Sequence, residues 1–387
     1  MRIHTVSFQW PVPADYGGAI DVYHKLRALR LEGAEVALHS YAYGQRLNPD
    51  TSLSPAPQST VYRRETGMSR MFGTEPYIVA SRRDRDLLSD LAALEPGTPV
   101  IFEGLHSCAF LNHPALADKI KIVRAHNVEH DYYAGLARQS KGWRKFYFKA
   151  ESARLRRYAA TLAGADAILA ISPADAEWYA EQFPGVRVIH VPCFYDDSPL
   201  YGPGPAPLDG NDRPYLLYHG SLSVEENVAA VEYIAGRIMP LLPEGTRLVV
   251  AGREPSARVR EALKGVKDAV LAESPDKEEM NGLIEGAAAT ILVTGQATGI
   301  KLKLLDTLAR ARGNVLVNTA MLGDRALKPL VTVADGEQRQ AAEIRRMLEN
   351  YPDAETLRRR REELQRLYGT RRSARKILDC IEELKKR

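Results

Sequence analysis

Short apolar runs alternate with helix-period stretches along most of the chain. Near the start, "RIHTVSF" is β-rich, "QWPVPADYGG" is rich in Pro and Gly, and in "AIDVYHKLRALRLEG" Val22, Leu26 and Leu29 recur at helical spacing before Gly33 provides a stop. That reads as strand, loop, helix. "AEVALHS", "PVIFEGLH", "IKIVRAHN" and "DAILAIS" are further strand candidates with helix-like stretches between them, and this alternation predicts a parallel sheet covered by helices. The pattern breaks at "DDSPLYGPGPAPLDGNDRP", which has no apolar period, and restarts in "YLLYHGS", "TRLVVAG", "AVLAES", "ATILVT" and "NVLVN". The expected fold is therefore α/β, with two doubly wound domains, 1–195 and 214–368, joined by a linker, 196–213. A charged C-terminal helix, 369–387, has no strand left to cover and is expected to pack back. Open α/β sheets bind ligands at the carboxyl ends of their strands, so the expected site is a cleft that both sheets face.

The chain has 387 residues, 45% hydrophobic and 26% charged, enough for two cores. A net charge of +4 is too mild for a protein that coats nucleic acid, so no nucleic-acid partner is expected. Cys108, Cys193 and Cys380 lie far apart with no C-x-x-C spacing, which argues against a disulfide framework or a cysteine zinc site and for a reducing compartment. The N-terminal "MRIHTVSFQWPVPADYGG" lacks the apolar core of a signal peptide, and no run is long enough to span a bilayer, so the expected location is cytoplasmic.

Four stretches carry candidate chemistry. Gly17 and Gly18 stand where the first helix begins; they either let backbone N–H groups approach an anion or merely make a tight turn. In "TGQATGIKLKLLDTLARAR" a helix starting near Ile300 puts Lys303 and Asp306 on one face at i, i+3, with Leu304, Leu305 and Leu308 turned to the core. A lysine at a helix N-terminus opposes the dipole unless an anion such as a diphosphate is bound there, and Asp306 would then accept from a ribose hydroxyl. The bland alternative is a solvated Lys–Asp pair. "HNVEH" fits a zinc-peptidase pattern, but His126 follows a strand too closely to share a helical face with His130; a loop histidine hydrogen-bonded in place is the simpler reading. Residues 138–157 carry eight Lys and Arg against the single acid Glu151, interleaved with Trp143, Phe146, Tyr147 and Phe148. Such a segment either meets an anionic membrane surface or is a solvated helix with its aromatics in the core.

Taken in order, "PVPADYGGAIDVYHKLRALRLEGAEV", "RAHNVEHDYY", "ISPADAEWY", "YHGSLSVEENVAAVEYI", "VAGREPS" and "TGIKLKLLDTLARARGNVLVN" resemble the GT-B glycosyltransferases of family four, over nearly the whole chain. The resemblance implies two Rossmann-like domains, a nucleotide sugar on the C-terminal one, a glycan or lipid-linked acceptor mainly on the N-terminal one, and no metal or other cofactor. It implies a retaining transfer, in surface polysaccharide or glycoconjugate synthesis, in which a leaving phosphate oxygen acts as base. Gly17 and Gly18 match the glycine loop beside the donor diphosphate, His126 a histidine near the transferred sugar, and Asp306 the second of two acids eight apart. Thr298 stands where many members have the first acid. Ser221 and Glu226 occupy the places of a cationic clamp, so Lys301, Lys303 and Arg253 are the cations left to neutralise the diphosphate. Gly220, Ser274, Gly299 and Ile300 complete the expected donor set; Glu103, His106 and Asn127 are the expected acceptor contacts. A binding protein without catalysis, and a sugar-nucleotide epimerase or phosphorylase, remain as alternatives. Location would be peripheral on the inner face of the plasma membrane if 138–157 meets lipid.

Overall fold

The strand order of each sheet reverses once, and that reversal locates the candidate sites. The structure, a computed structural model, describes all residues except 68, 69, 72, 203–207, 209–213, 296–300 and 387, and for 45 and 139 only the backbone. The chain divides into two units: residues 1–195 with 370–387, and residues 196–369.

Unit 1 holds a parallel sheet in the order β3-β2-β1-β4-β5-β6-β7. The strands are β1 (Arg2–Ser7), β2 (Glu35–Ala42), β3 (Gln58–Arg63), β4 (Pro99–Glu103), β5 (Ile120–Ala125), β6 (Ala167–Ala170) and β7 (Arg187–His190). Unit 2 has β8 (Tyr215–His219), β9 (Arg247–Gly252), β10 (Ala269–Glu273), β11 (Ala289–Leu292), β12 (Asn314–Val317) and β13 (Thr332–Val333), in the order β10-β9-β8-β11-β12-β13 and also parallel. The order reverses between β1 and β4 and between β8 and β11, which are the two topological switch points.

The alternation of apolar runs forms the sheets as expected. Strands β3, β7 and β13 are additional. Each lies at or next to a sheet edge, where one side is wet and the apolar signal is weak: β3 reads "QSTVYR" with only Tyr62 buried, and β7 is half-buried throughout.

Helix Gly17–Leu31 shows why one face is buried. Val22, Leu26 and Leu29 sit in a core with Ile3, Ile101 and Leu169, and Ile377, Cys380, Ile381 and Leu384 of helix Thr370–Leu384 join the same core. The charged tail thus forms two helices. Ala354–Tyr368 stays with unit 2, where Arg360 Nη1 donates to Gly313 O at 2.9 Å, and Thr370–Leu384 returns to unit 1. There Arg371 and Arg375 both meet Glu32, at 2.6 and 2.5 Å. Truncating Ile381 to Ala would cost about 2–5 kcal/mol by leaving a cavity against the first helix.

Candidate functional site

In unit 1 the carboxyl ends of β1, β4 and β5 bring five ionisable groups together. Arg124, the fifth residue of β5, is fully buried and donates to Asp21 Oδ1 at 2.9 Å and Asp21 Oδ2 at 3.2 Å, and also to the carbonyls of Val191 and Pro192. Asp21 further accepts the Phe194 N–H at 2.7 Å. Burial alone would raise the Asp21 carboxyl, but Arg124 and His126 outweigh it and hold it at about 2. Lys25, one turn along the helix, is paired with Glu103, and burial draws its ammonium down to about 7. Glu103 Oε2 lies 2.9 Å from His126 Nε2.

This arrangement fixes the tautomer of His126. Burial keeps the ring neutral, with its pKa near 4, and the Nε2–H donates to the Glu103 carboxylate. Nδ1 then carries the lone pair, 4.0 Å from Asp21 Oδ2, as an acceptor for a hydroxyl. Phe8 packs its ring edge-on to His126 and tilted on His106. His106 reaches this position because Gly104 turns the chain at φ 63°, a conformation favourable to glycine. Its Nδ1 is 3.8 Å from Glu129, whose carboxyl burial pushes up to about 8.

Gly17 and Gly18 open the helix that carries Asp21 and Lys25, and no side chain caps it at Tyr16. Asn127 follows His126, its carbonyl accepting the Tyr179 hydroxyl at 2.9 Å. Glu103 is fully buried, with Lys25 at one carboxylate oxygen and His126 Nε2 at 2.9 Å from the other. Asp21, Lys25 and Arg124 were missed by sequence reasoning; the available signal was an i, i+4 Asp–Lys pair beside the Val22–Leu26 stripe and an arginine inside the apolar strand "IKIVRA".

Asp21, Glu103 and His126 also offer ligand atoms within 4.8 Å of one another. Their carboxylate oxygens already meet Lys25, Arg124, the Phe194 N–H and His126 Nε2, which makes the group a salt-bridge network. The histidines of "HNVEH" part company: the His130 ring lies tilted against Trp178, 5.3 Å between centres, and has Asp131 at 3.7 Å.

In unit 2 the loops after β8, β9 and β10 are stitched together by backbone bonds. Leu222 N–H donates to Arg253 O, and Ser274 N–H to Gly252 O, each at 2.8 Å. Gly220, Ser221, Arg253 and Ser274 are thereby brought into one rim. Gly252 permits this approach: a Cβ there would lie 1.7 Å from the Gly220 carbonyl oxygen.

Helix Leu302–Arg310 starts two residues later than the expected Ile300, with Lys301 as N-cap, and its Leu304, Leu305 and Leu308 are buried as predicted. Lys303 Nζ donates to Asn227 Oδ1 at 2.8 Å and to Tyr218 OH at 3.3 Å, and lies 4.9 Å from the centre of the Tyr218 ring. Burial draws its pKa down to about 8. Lys301 Nζ meets Glu226 at 3.3 Å, and Glu226 also accepts the Thr294 hydroxyl. Asp306 is engaged within its own helix. Its carboxyl takes Arg310 Nε at 2.8 Å, and Arg310 in turn reaches Asp196 at 2.9 Å; burial raises Asp306 against the pull of Arg310. Among the described residues no carboxylate pairs with Lys303, so the surplus positive charge of this cluster sits on that side chain. Thr298, Gly299 and Ile300 lie outside the described residues.

No family model matches the chain. It is similar to an "Uncharacterized 44.6 kDa protein in cps region" of Klebsiella pneumoniae, 22% identical over 342 residues and 83% of each chain. Among solved structures it is similar to the sucrose-phosphate synthase of Thermosynechococcus elongatus, with a TM-score of 0.71, 16% identity and 99% of each chain covered. The fold is that of the GT-B glycosyltransferases. A UDP-forming α,α-trehalose-phosphate synthase from Burkholderia vietnamiensis is similar too, with a TM-score of 0.65, 12% identity, and 99% of this chain and 100% of the other covered. At these identities the GT-B likeness describes the architecture alone.

Proposed function

We propose that this chain is a retaining glycosyltransferase that moves a sugar from a nucleotide-sugar donor to a glycan or lipid-linked acceptor. The observation that carries the reading is Lys303, a half-buried cation with no carboxylate partner among the described residues, at the β8/β11 switch point beside the rim of Gly220, Ser221, Arg253 and Ser274. A diphosphate there would meet backbone amides, Lys303, and Lys301 once Glu226 releases it. Asp306, freed from Arg310, is the acceptor for a ribose hydroxyl. As the bond from sugar to phosphate breaks, negative charge grows on the leaving oxygen, and the lysines stabilise it without a metal. In unit 1, His126 Nδ1 accepts from a hydroxyl of the transferred sugar, held in that tautomer by Glu103 and Lys25. The leaving phosphate takes the acceptor's proton, so the new bond forms on the face the nucleotide leaves.

The K. pneumoniae relative's name places it in a cps region, which agrees with a role for this chain in surface polysaccharide or glycoconjugate synthesis. One observation favours a peripheral membrane location. Trp143 and Phe146, on helix Gly142–Tyr158, are 72% and 74% exposed among Arg144, Lys145 and Lys149, so these two aromatics are not core. No helix among the described residues is long and apolar enough to cross a membrane.

The test is incubation with a panel of nucleotide sugars, with and without a chelator, following free nucleoside diphosphate. Release that survives the chelator supports the reading. Binding without release indicates a binding protein, and an isomerised sugar still attached to its nucleotide indicates an epimerase.

A further inference from the structure

Among the described residues, no carboxylate pairs with Arg64 or Arg82 of unit 1. Arg82 is 2% exposed and spends three N–H groups on neutral acceptors: Nε on Phe8 O at 2.8 Å, Nη1 on Ile78 O at 2.5 Å and Nη2 on Tyr43 OH at 3.1 Å. Arg64 is half-buried and spends only Nε, on Ser81 Oγ at 2.9 Å. Both guanidinium centres stand over the Tyr43 ring, at 4.4 and 5.3 Å from its centroid, and Arg64 is also 5.2 Å from that of Tyr77.

The acids nearby in the chain are all engaged elsewhere. Glu65 pairs with Arg70, Glu75 with Arg83, and Glu151 with Arg154 and the Tyr77 N–H. Asp84 caps helix Arg85–Ala92. Buried or half-buried cations are ordinarily paired, and two on one ring with no counter-charge repel each other. Burial and the Arg64 charge together draw Arg82 down to about 10, and the positive field of both arginines adds to burial in keeping His106 neutral. A structural strap would require one arginine, and Arg82 already ties three segments. Among the described residues neither terminal nitrogen of Arg64 has an acceptor, and a guanidinium fork matches the oxygens of a phosphoryl group.

We propose that Arg64, Arg82 and the Tyr43 hydroxyl form a binding site for a phosphoryl group carried by the acceptor. Arg82 holds the Phe8 carbonyl, and the Phe8 ring lies against His106 and His126, so the anion site and the hydroxyl-accepting histidine belong to one surface of unit 1. This rests on the reading of unit 1 as the acceptor side. It adds that the acceptor is anionic, a phosphate ester, whether of a free sugar or of a lipid carrier.

The test is calorimetric titration of the full chain at low salt with inorganic phosphate, a hexose 6-phosphate, the same hexose without phosphate, and a short-chain isoprenyl phosphate. Wild type should bind the phosphate esters, and Arg64→Gln should weaken them by roughly tenfold or more, with Arg64→Lys recovering part. Arg82→Lys, checked for folding by circular dichroism, should act in the same direction. Nucleoside diphosphate binding, which reports on unit 2, should be unchanged in Arg64→Gln, so that failure here and failure of the donor reading are told apart. Tighter binding of the hexose 6-phosphate assigns the site to a free sugar phosphate, and tighter binding of the isoprenyl phosphate to a lipid-linked one. Wild-type levels of phosphate-ester binding in Arg64→Gln, or no binding in wild type, would overturn the proposal. Inorganic phosphate bound as tightly as either ester would overturn the assignment to an acceptor.

Discussion

Replacing Lys303 by Met removes the charge on which the donor site depends and keeps most of the side chain's volume. A charge-assisted contact to phosphate is worth about 1.5–3 kcal/mol, so nucleoside diphosphate binding should weaken by roughly tenfold to a hundredfold. The structure adds a second signature. With its pKa drawn from 10.5 to about 8, Lys303 loses its proton within an accessible range. Wild-type affinity should therefore fall above about pH 8, by up to about tenfold per unit, until it meets that of Lys303→Met, whose own profile stays flat through the same range. Stability should move the opposite way. A lysine whose folded pKa lies below its unfolded value destabilises the fold at every pH below the folded value, and the penalty fades as pH rises toward 10.5. Below pH 8 that cost is on the order of 3 kcal/mol, offset by the lost bonds to Asn227 and Tyr218 at about 1 kcal/mol each. Lys303→Met should then melt no lower than wild type at pH 7. Calorimetric titration across pH 7 to 10 with parallel thermal melts reads both. Unchanged affinity in the variant, or a wild-type profile that is flat above pH 8, would refute the role given to Lys303.

Other perturbations reach other parts of the account. Gly252→Ala places a Cβ against the Gly220 carbonyl; it should cost about 1–3 kcal/mol or more and weaken nucleoside diphosphate binding, and a variant with wild-type melting and binding would contradict the close approach. His126→Ala should fold, bind nucleotide nearly as wild type and lose most transfer, whereas unchanged turnover would remove His126 from the chemistry. His39 and His126 are held neutral by burial, with pKa values near 4, and His219 near 3, so the unfolded chain takes up protons that the folded chain refuses; stability should fall as pH drops from about 6.5 toward 4, and equal melting temperatures at pH 7 and 5 would show that reading to be wrong. Trp143→Ser with Phe146→Ser should reduce sedimentation with anionic vesicles at low salt, and a wild type that ignores such vesicles ends the membrane reading.

What could be read from the sequence depended on how local its cause was. Central strands such as "TRLVVAG" and "NVLVN" announce themselves because both faces are covered, while the edge strand "QSTVYR" has only one buried residue to show. The i, i+3 spacing of Lys303 and Asp306 and the buried leucines between them were legible, because helical period is local. Their partners were not. Asn227 and Tyr218 are 76 and 85 residues from Lys303. The Asp21–Arg124 bond spans 103 residues and the Glu103–His126 contact 23, so neither shows in a local pattern. Charged residues in apolar frames were the one sign available.

Sugar transfer itself is tested most directly by a proton NMR time course of the chain mixed with a nucleotide sugar that it binds and a phosphate-ester acceptor. The account predicts loss of the donor's anomeric signal, stoichiometric appearance of nucleoside diphosphate, and a new anomeric signal of the same configuration. A donor that stays intact with every acceptor, or a product of inverted configuration, would contradict it.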